Sequence, residues 1–519
     1  MKSPALFLLL QLTWLFPVLA QPTFSEDIAP IIFNQCTQCH RPGEIGPMPF
    51  TNYEEVKAFA TTIKFSTAIR YMPPWKADPD YRSFLDQRIL SQQEIQLIAD
   101  WVDAGAPEGD PTLTPPLPNF PDGSSLGTPD AVISMAEAFP HQGNNQDQYQ
   151  VFVLPTDFPE DKDLAAIEFR PQNRKIAHHA LLALDTTDFA SDVLDTQDPR
   201  YGYESFGGFG MEAVDLNFAG WVPGVTPRYF PTGIGKKLFK GSDILLQVHY
   251  GPSAINQTDS SSVNLFFADE PVNRFVNTVL ITPSELTNGP FILPPDQVTT
   301  FHAEIEVPIP ASLINITPHM HLLGKSWEIY AVEPSGDTIP LIKIDDWDFN
   351  WQGIFSYPNL VKIPMGSKVH FYGTYDNTSA NPYNPNDPPA WMTWGEGTED
   401  EMFVVFLNFV LYNEGDENIP LSNDWETDLT GRSFARLYPI YPNPAEEDLI
   451  IGFQLTRPAP VNLQVLDLQG KQVQVLLKNE AYPPGRFQLD ANLLDLPAGT
   501  YLVELEANGI SDSQKLVVR

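Results

Sequence analysis

Two cysteines are all that the 519-residue chain contains. That scarcity excludes a disulfide-stapled scaffold, which needs several bridges spread along its length. Basic residues are also few: 30 Lys and Arg stand against 66 Asp and Glu, a formal net charge of −36. So acidic a surface repels phosphate backbones, and nucleic acid is not an expected partner. The acidity suits solubility outside the cytoplasm. After the first twenty residues there is no run of about eighteen apolar residues, the length a transmembrane helix needs. Histidine is sparse too, nine in all, so where each one stands carries information.

Proline is the residue in excess. The chain has 51, about twice ordinary usage, which long helices tolerate poorly and turn-rich β domains tolerate well. The length points to three or four domains. Residues 1–20, MKSPALFLLLQLTWLFPVLA, join a Lys2 start to an apolar run and a small residue, Ala20, at the expected cut. This is the pattern of a secretory signal peptide, so the chain is predicted to be exported. No cysteine follows the cut, and no lipid anchor is expected.

Both cysteines fall in one stretch, NQCTQCHRPGE, as Cys36 and Cys39 followed at once by His40. A disulfide or a thioredoxin-like redox pair would use the thiols, but neither has a use for the histidine. C-x-x-C-H is the attachment motif of a haem c: the thiols bond the vinyl groups and His40 ligates the iron. No histidine lies between His40 and His141, so the sixth ligand is sought among methionines. Met72, in RYMPPWKAD, is favoured because the prolines after it hold the chain extended. Met48 is too near the attachment site, and Met72 as a buried packing residue is the plainer alternative. A Met/His pair makes the haem an electron carrier. The segment ILSQQEIQLIADWVDAGAP predicts a helix capped by Ser91 and Glu94, with an apolar stripe of Ile95, Ile98, Ala99 and Val102, and ended by Gly105. Residues 21–110 resemble the small bacterial c-type cytochrome domains fused to oxidoreductases, which implies a small all-α domain. The Pro-rich residues 111–124 read as a semi-rigid linker.

From about 125 to 432, short β-rich runs such as DILLQVHY, SSVNLFFA and EMFVVFLNFVLY alternate with Gly/Pro/Asn turns. That texture predicts two all-β sandwiches, residues 125–272 and 273–432. His178 and His179 are adjacent, His249 lies in LLQVHYG, and His319 and His321 lie in ITPHMHLLG. Residues i and i+2 of a strand share a face, so His319 and His321 point the same way and can bind one metal. His178 and His179 would point oppositely, and to reach one ion together they require a bulge or a strand end. Any one strand histidine is more often a hydrogen-bonding partner; the series as a whole points to metal.

The series HH, QVHY, HxH and EM resembles the copper type II, ascorbate-dependent monooxygenases, the family of peptidylglycine α-hydroxylating and dopamine β-monooxygenases. The resemblance covers about 300 residues and implies two jelly-roll-like domains, each holding one copper. It implies one copper on His178, His179 and His249, storing an electron. The second copper, on His319, His321 and Met402, is where O2 binds and a substrate C–H bond is hydroxylated. Imidazoles suit copper that cycles between oxidation states, and a thioether favours Cu(I). His141, His302 and His370 have no counterpart and are read as structural. Where the amidating branch grips a peptide carboxylate, this chain has Thr317, Val404 and Phe406, so a glycine-extended peptide is a poor substrate. The implied partners are O2, a small or peripheral organic substrate, and an external electron donor, either an ascorbate-like reductant or a redox protein. The haem is expected to replace or relay that donor. The rival function is a non-catalytic haem/copper electron-transfer or copper-binding protein; an adhesion role ranks third.

From about 436 to 519 the texture changes again. Val461, Leu463 and Val465 alternate with Asn462 and Gln464, which predicts a small β-sandwich. YPNPA, LPAGTYLVEL and KLVVR resemble the C-terminal sorting domain of the type IX secretion system, which implies that its secretion machinery is a partner and that the chain is secreted or attached to the cell surface through the outer membrane. A carbohydrate-binding sandwich is the alternative. The expected architecture is therefore multidomain: a small all-α cytochrome c domain, two all-β jelly-roll-like sandwiches, and a small C-terminal β-sandwich.

Overall fold

The computed structural model describes residues 21–422 except 119, 121, 122 and 207. From 435 to 518 it describes all but 438, 439, 441, 442, 446, 447, 456–458, 468, 469, 483, 484, 493–495, 508 and 509. The expected signal peptide, residues 1–20, lies outside the described residues. The chain divides into two compact units, residues 1–42, 46–74 and 88–118 in the first and 43–45, 75–87 and 119–519 in the second.

The first unit carries four helices: α1 (Ala29–Gln35), α2 (Tyr53–Ala58), α3 (Ala60–Ala68) and α4 (Gln92–Asp103). They close over Phe24, Ile28, Ile32, Val56, Ile63, Ile95, Ile98 and Trp101. α4 starts in a reciprocal capping box between Ser91 and Glu94 and stops at Gly105, whose φ of +89° suits a residue without Cβ.

The expected all-α cytochrome domain over 21–110 is not what the chain forms. Among the described residues the α content is five short helices, including the single turn Asp195–Gln197 in the second unit. The longest, α4, has 12 residues, and the protein as a whole is β. Pro42, Pro47 and Pro49 interrupt the chain between α1 and α2, and Pro73, Pro74 and Pro79 do so between α3 and α4. Each removes an N–H that a helix would need. Among the described residues no helix is long and apolar enough to cross a membrane.

The second unit is built from paired sheets. One five-stranded sheet runs in the order Tyr203–Glu204, Gln148–Pro155, Asp243–Tyr250, Ala177–Asp185, Asp215–Trp221. Its partner runs Ala131–Ser134, Ser262–Phe267, Lys162–Arg170, Ile234–Leu238, Arg274–Phe275. Phe152, Leu182 and Leu246 from the one meet Leu164, Phe169 and Val263 from the other.

A second sandwich follows. The sheet Asn277–Ile281, Val404–Leu411, Ala311–His319, Phe355–Ile363 faces the sheet Gln297–Glu306, Lys368–Asn377, Gly324–Val332, Thr338–Ile344. Leu313, Tyr357, Val405, Trp327 and Phe371 fill the space between them. Residues 75–87 join this core. The Asp78 and Leu85 amides donate to the Lys343 and Ser356 carbonyls, both at 2.8 Å, and the Phe84 ring lies 5.3 Å from Phe355.

The tail pairs Ala435–Leu437, Asp448–Leu455, Gly485–Asn492 with Gln472–Tyr482, Ala459–Leu466, Gly499–Ala507, Ile510–Val518. Val461, Leu463 and Val465 are fully buried. Asn462 and Gln464, on the other face, donate to Glu506 (3.3 Å) and Glu504 (2.7 Å) of the neighbouring strand.

Removing the α4 cap by Ser91→Ala should cost about 1 kcal/mol. It should be read as an earlier unfolding transition in denaturant, while Gln92→Ala, which removes no cap, leaves that transition in place.

Candidate metal centre

His178 and His179 open the Ala177–Asp185 strand, and His249 lies near the end of Asp243–Tyr250 beside it. The pairing register slips between Ala177 and His179, so His178 occupies a bulge. That irregularity lets neighbours in sequence turn to one side. His179 stands directly opposite His249, and their Nδ1 atoms are 3.4 Å apart. One donor atom from each of the three imidazoles falls within 4.8 Å of the others.

What the second ring nitrogen does decides which nitrogen is free. The Nε2 of His249 donates to the Asp147 carboxylate at 2.7 Å. Burial works to raise the Asp147 carboxyl, but the hydrogen bond from His249 holds it below its ordinary range. The His249 Nδ1 lone pair is thereby turned toward His179. Tyr149 stacks on the His249 ring at 4.1 Å and 9°. The Nδ1 of His178 is buried and has no hydrogen-bond partner, a state that normally costs about 1–3 kcal/mol.

The second set begins where the Ala311–His319 strand ends. Met320 is fully buried, so His319 and His321 on either side of it share the opposite face, with ring centroids 5.0 Å apart. Gly324 makes room for this: a Cβ there would come within 2.6 Å of the Met320 sulfur and 2.7 Å of Trp347. Here Nδ1 is the occupied nitrogen. His319 donates to Gln352 Oε1 at 2.6 Å and His321 to the Asp400 carbonyl at 3.2 Å, so both rings keep Nε2 for another use.

Met402 is tied to this strand through Glu401. One carboxylate oxygen, Oε1, accepts from the His321 amide (2.5 Å) and the Met402 amide (2.9 Å), while Oε2 accepts from Leu323 (2.9 Å). The Tyr375 hydroxyl donates to the Met402 carbonyl at 2.7 Å, and His319 pairs with Val404 on the Met402 side of the sheet. Burial drives the Glu401 carboxyl up to about 8, against the pull of its three N–H donors.

Desolvation keeps His178, His179, His319 and His321 neutral. Burial, with the His249 imidazole close by, lowers His178 to about 4, and burial with neighbouring imidazoles takes His179 well below its ordinary value. Burial lowers His319 to about 3 and His321 to about 4. Each set feels the other: His319 and His321 are among the groups that depress His179. The Phe349 ring lies 5.6 Å from His178 and 5.5 Å from His321, an aromatic neighbour common to both.

In the first unit, Cys36 follows α1 directly and neither cysteine is in a disulfide. Burial pushes the Cys36 thiol up to about 12. His40 Nδ1 donates to the Met48 carbonyl at 2.9 Å, and Phe50 stacks on the ring at 4.5 Å and 15°. A carbonyl can only accept, so Nε2 of His40 is the unprotonated nitrogen. Gly46 permits this approach, since a Cβ there would sit 2.9 Å from His40 Nδ1. Met72 follows α3, its amide bonded to the Ser66 carbonyl at 3.2 Å. Met48 serves His40 through its backbone.

The Secretion system C-terminal sorting domain family matches residues 439–519. This tail is a type IX sorting domain. It addresses the chain to the secretion machinery, so the protein is exported and reaches the cell surface or the medium. No copper monooxygenase or cytochrome c family matches the rest of the chain, and no curated protein matches it. Solved structures with some likeness include a Faecalibacterium prausnitzii β-glucuronidase, at 10% identity and a TM-score of 0.14, over 43% of this chain and 37% of that one. A β-D-mannosidase from Dictyoglomus thermophilum, at 12% identity and a TM-score of 0.13, covers 43% and 29%. The VP2 subviral particle of infectious bursal disease virus, at 10% and 0.14, covers 60% and 89%. The chain spans only 37% of the glucuronidase and 29% of the mannosidase. Likeness at this level assigns neither fold nor activity.

Two outcomes follow for the purified protein. In Glu401→Gln the amide nitrogen cannot accept, so one buried N–H is stranded, and unfolding should become about 1–3 kcal/mol easier in denaturant. Imidazoles held below 6.5 in the folded state are protonated first in the unfolded chain. The metal-free protein therefore loses stability as pH falls from about 6.5 toward 4 and gains none from these groups above pH 7. Its thermal midpoint should be lower at pH 5 than at pH 7, and that gap should narrow in His178→Ala.

Proposed function

We propose that this chain is an exported dicopper monooxygenase that hydroxylates a C–H bond of an organic substrate with O2 and draws electrons through a covalently attached haem. The observation that carries the reading is the convergence of the His178, His179 and His249 donors around a buried, unpartnered Nδ1. Desolvated imidazoles, with the second nitrogen of His249 engaged by Asp147, are ready ligands.

His178, His179 and His249 would hold the first copper, His249 through Nδ1 with Asp147 fixing its tautomer. His319 and His321 would hold the second through Nε2, oriented by Gln352 and the Asp400 carbonyl, with the Met402 thioether as the third ligand. Copper in such sites supplies one-electron redox chemistry and oxygen activation. Glu401 keeps the Met402 backbone beside that of His321. Thr317, Val404 and Phe406 offer no cation, which favours an uncharged substrate over a peptide carboxylate. Cys36 and Cys39 would bond the haem, His40 would ligate its iron through Nε2, and Met72 is the proposed sixth ligand.

The test is a copper count and oxygen uptake on the full chain, with a screen for products heavier by one oxygen atom. The reading expects two coppers per chain and oxygenated product. In Met402→Ala, product formation should fall by at least about 100-fold, more than loss of a supporting residue costs, while the first copper is retained. Two coppers and a haem without oxygen uptake across a broad substrate panel would make the protein an electron carrier instead. Haem reoxidation that runs at one rate with and without copper would remove the relay.

A further inference from the structure

A third cluster of metal-ligating groups lies away from both sets, on the outer face of the second sandwich. His302 and Glu304 lie on Gln297–Glu306, and His370 lies on the adjacent strand Lys368–Asn377. Glu304 pairs directly with His370, and His302 with Tyr372. Phe301, Ala303 and Phe371 alternate with them and fill the core, so the three polar side chains share the face turned from it.

Their donor atoms converge. His302 Nε2 is 3.0 Å from His370 Nδ1, and Glu304 Oε2 is 3.5 Å from the same nitrogen. All three lie within 4.8 Å of one another. Metal–ligand lengths of about 2.0–2.2 Å in a tetrahedral site put neighbouring donors about 3.3–3.5 Å apart, so the cluster needs only small shifts to close on an ion.

The protonation state is set from outside. The Thr287 hydroxyl donates its one proton to the His302 carbonyl (3.0 Å), so at His302 Nδ1 (2.7 Å) it can only accept. His302 is therefore the Nδ1–H tautomer, and its Nε2 lone pair faces His370. This is how a supporting residue prepares a metal-binding imidazole. Lys368 holds only the other oxygen of Glu304, Oε1, at 2.7 Å. Tyr372 stacks on His302 at 4.4 Å and 17° and fixes the plane of the ring.

We propose that His302, Glu304 and His370 form a third metal site, selective for a divalent ion of the zinc class, with three protein donors and an open fourth position. Two imidazoles and one carboxylate suit zinc, and calcium and magnesium prefer oxygen alone. The site stands apart from the proposed copper ligands, and its test does not depend on them.

The experiment is equilibrium dialysis of the metal-stripped full chain against Zn2+, with the bound ion counted per chain and folding checked by circular dichroism. His370→Gln and Glu304→Gln should each bind one zinc fewer than the wild type. Thr287→Val leaves all three ligands in place but frees the tautomer, and it should weaken that one zinc by about 10-fold or more. Equal zinc counts in the wild type and both ligand variants would overturn the proposal. So would a Thr287→Val protein of unchanged affinity, because the preset tautomer is what distinguishes a prepared site from a chance meeting of side chains.

Discussion

A buried imidazole has two nitrogens, and only one can face a metal. At five imidazoles of this protein one nitrogen is committed by a partner outside the histidine clusters. Asp147 takes the proton of His249, Gln352 that of His319, and the Asp400 carbonyl that of His321. The Met48 carbonyl and Thr287 do the same for His40 and His302. Each bond fixes a tautomer and a ring plane. Desolvation adds the second half of the constraint by keeping His178, His179, His319 and His321 neutral. The sandwiches around them act as frames that bring carboxylate, amide and carbonyl acceptors to the far side of each ring.

Parts of this were legible in the linear sequence. The i, i+2 spacing of His319 and His321 puts them on one face, and Met320 between them is in the core. Adjacent His178 and His179 demand an irregular strand, and the register slips there. The capping box at Ser91 and the alternation at Val461, Leu463 and Val465 also stand as local pattern predicts. The orienting partners were not legible. Asp147 precedes His249 by 102 residues and Gln352 follows His319 by 33, and no period in the sequence connects them. His302 and His370, 68 residues apart, read singly as structural, and only the antiparallel register of their strands makes them neighbours. The N-terminal region misled for a different reason. The C-x-x-C-H motif and its resemblance to c-type cytochrome domains implied a helical domain, and α4 fits it, while the prolines on either side of α2 and α3 confine the rest to short pieces.

Export sets the remaining terms. A sorting tail at residues 439–519 sends the chain to a setting where disulfides are permitted, yet Cys36 and Cys39 form no disulfide. Stability rests on packing between sheets, with Trp327, Tyr357, Phe371 and Phe403 almost wholly enclosed in the second sandwich.

The short turn Phe349–Trp351, capped by Asp348 on the Asn350 amide, serves two masters. Its first residue rests against His178, and Gln352, just past its last, holds His319. The Phe349 ring also lies 5.5 Å from His321. Four consecutive residues, Phe349 to Gln352, thus touch both histidine sets.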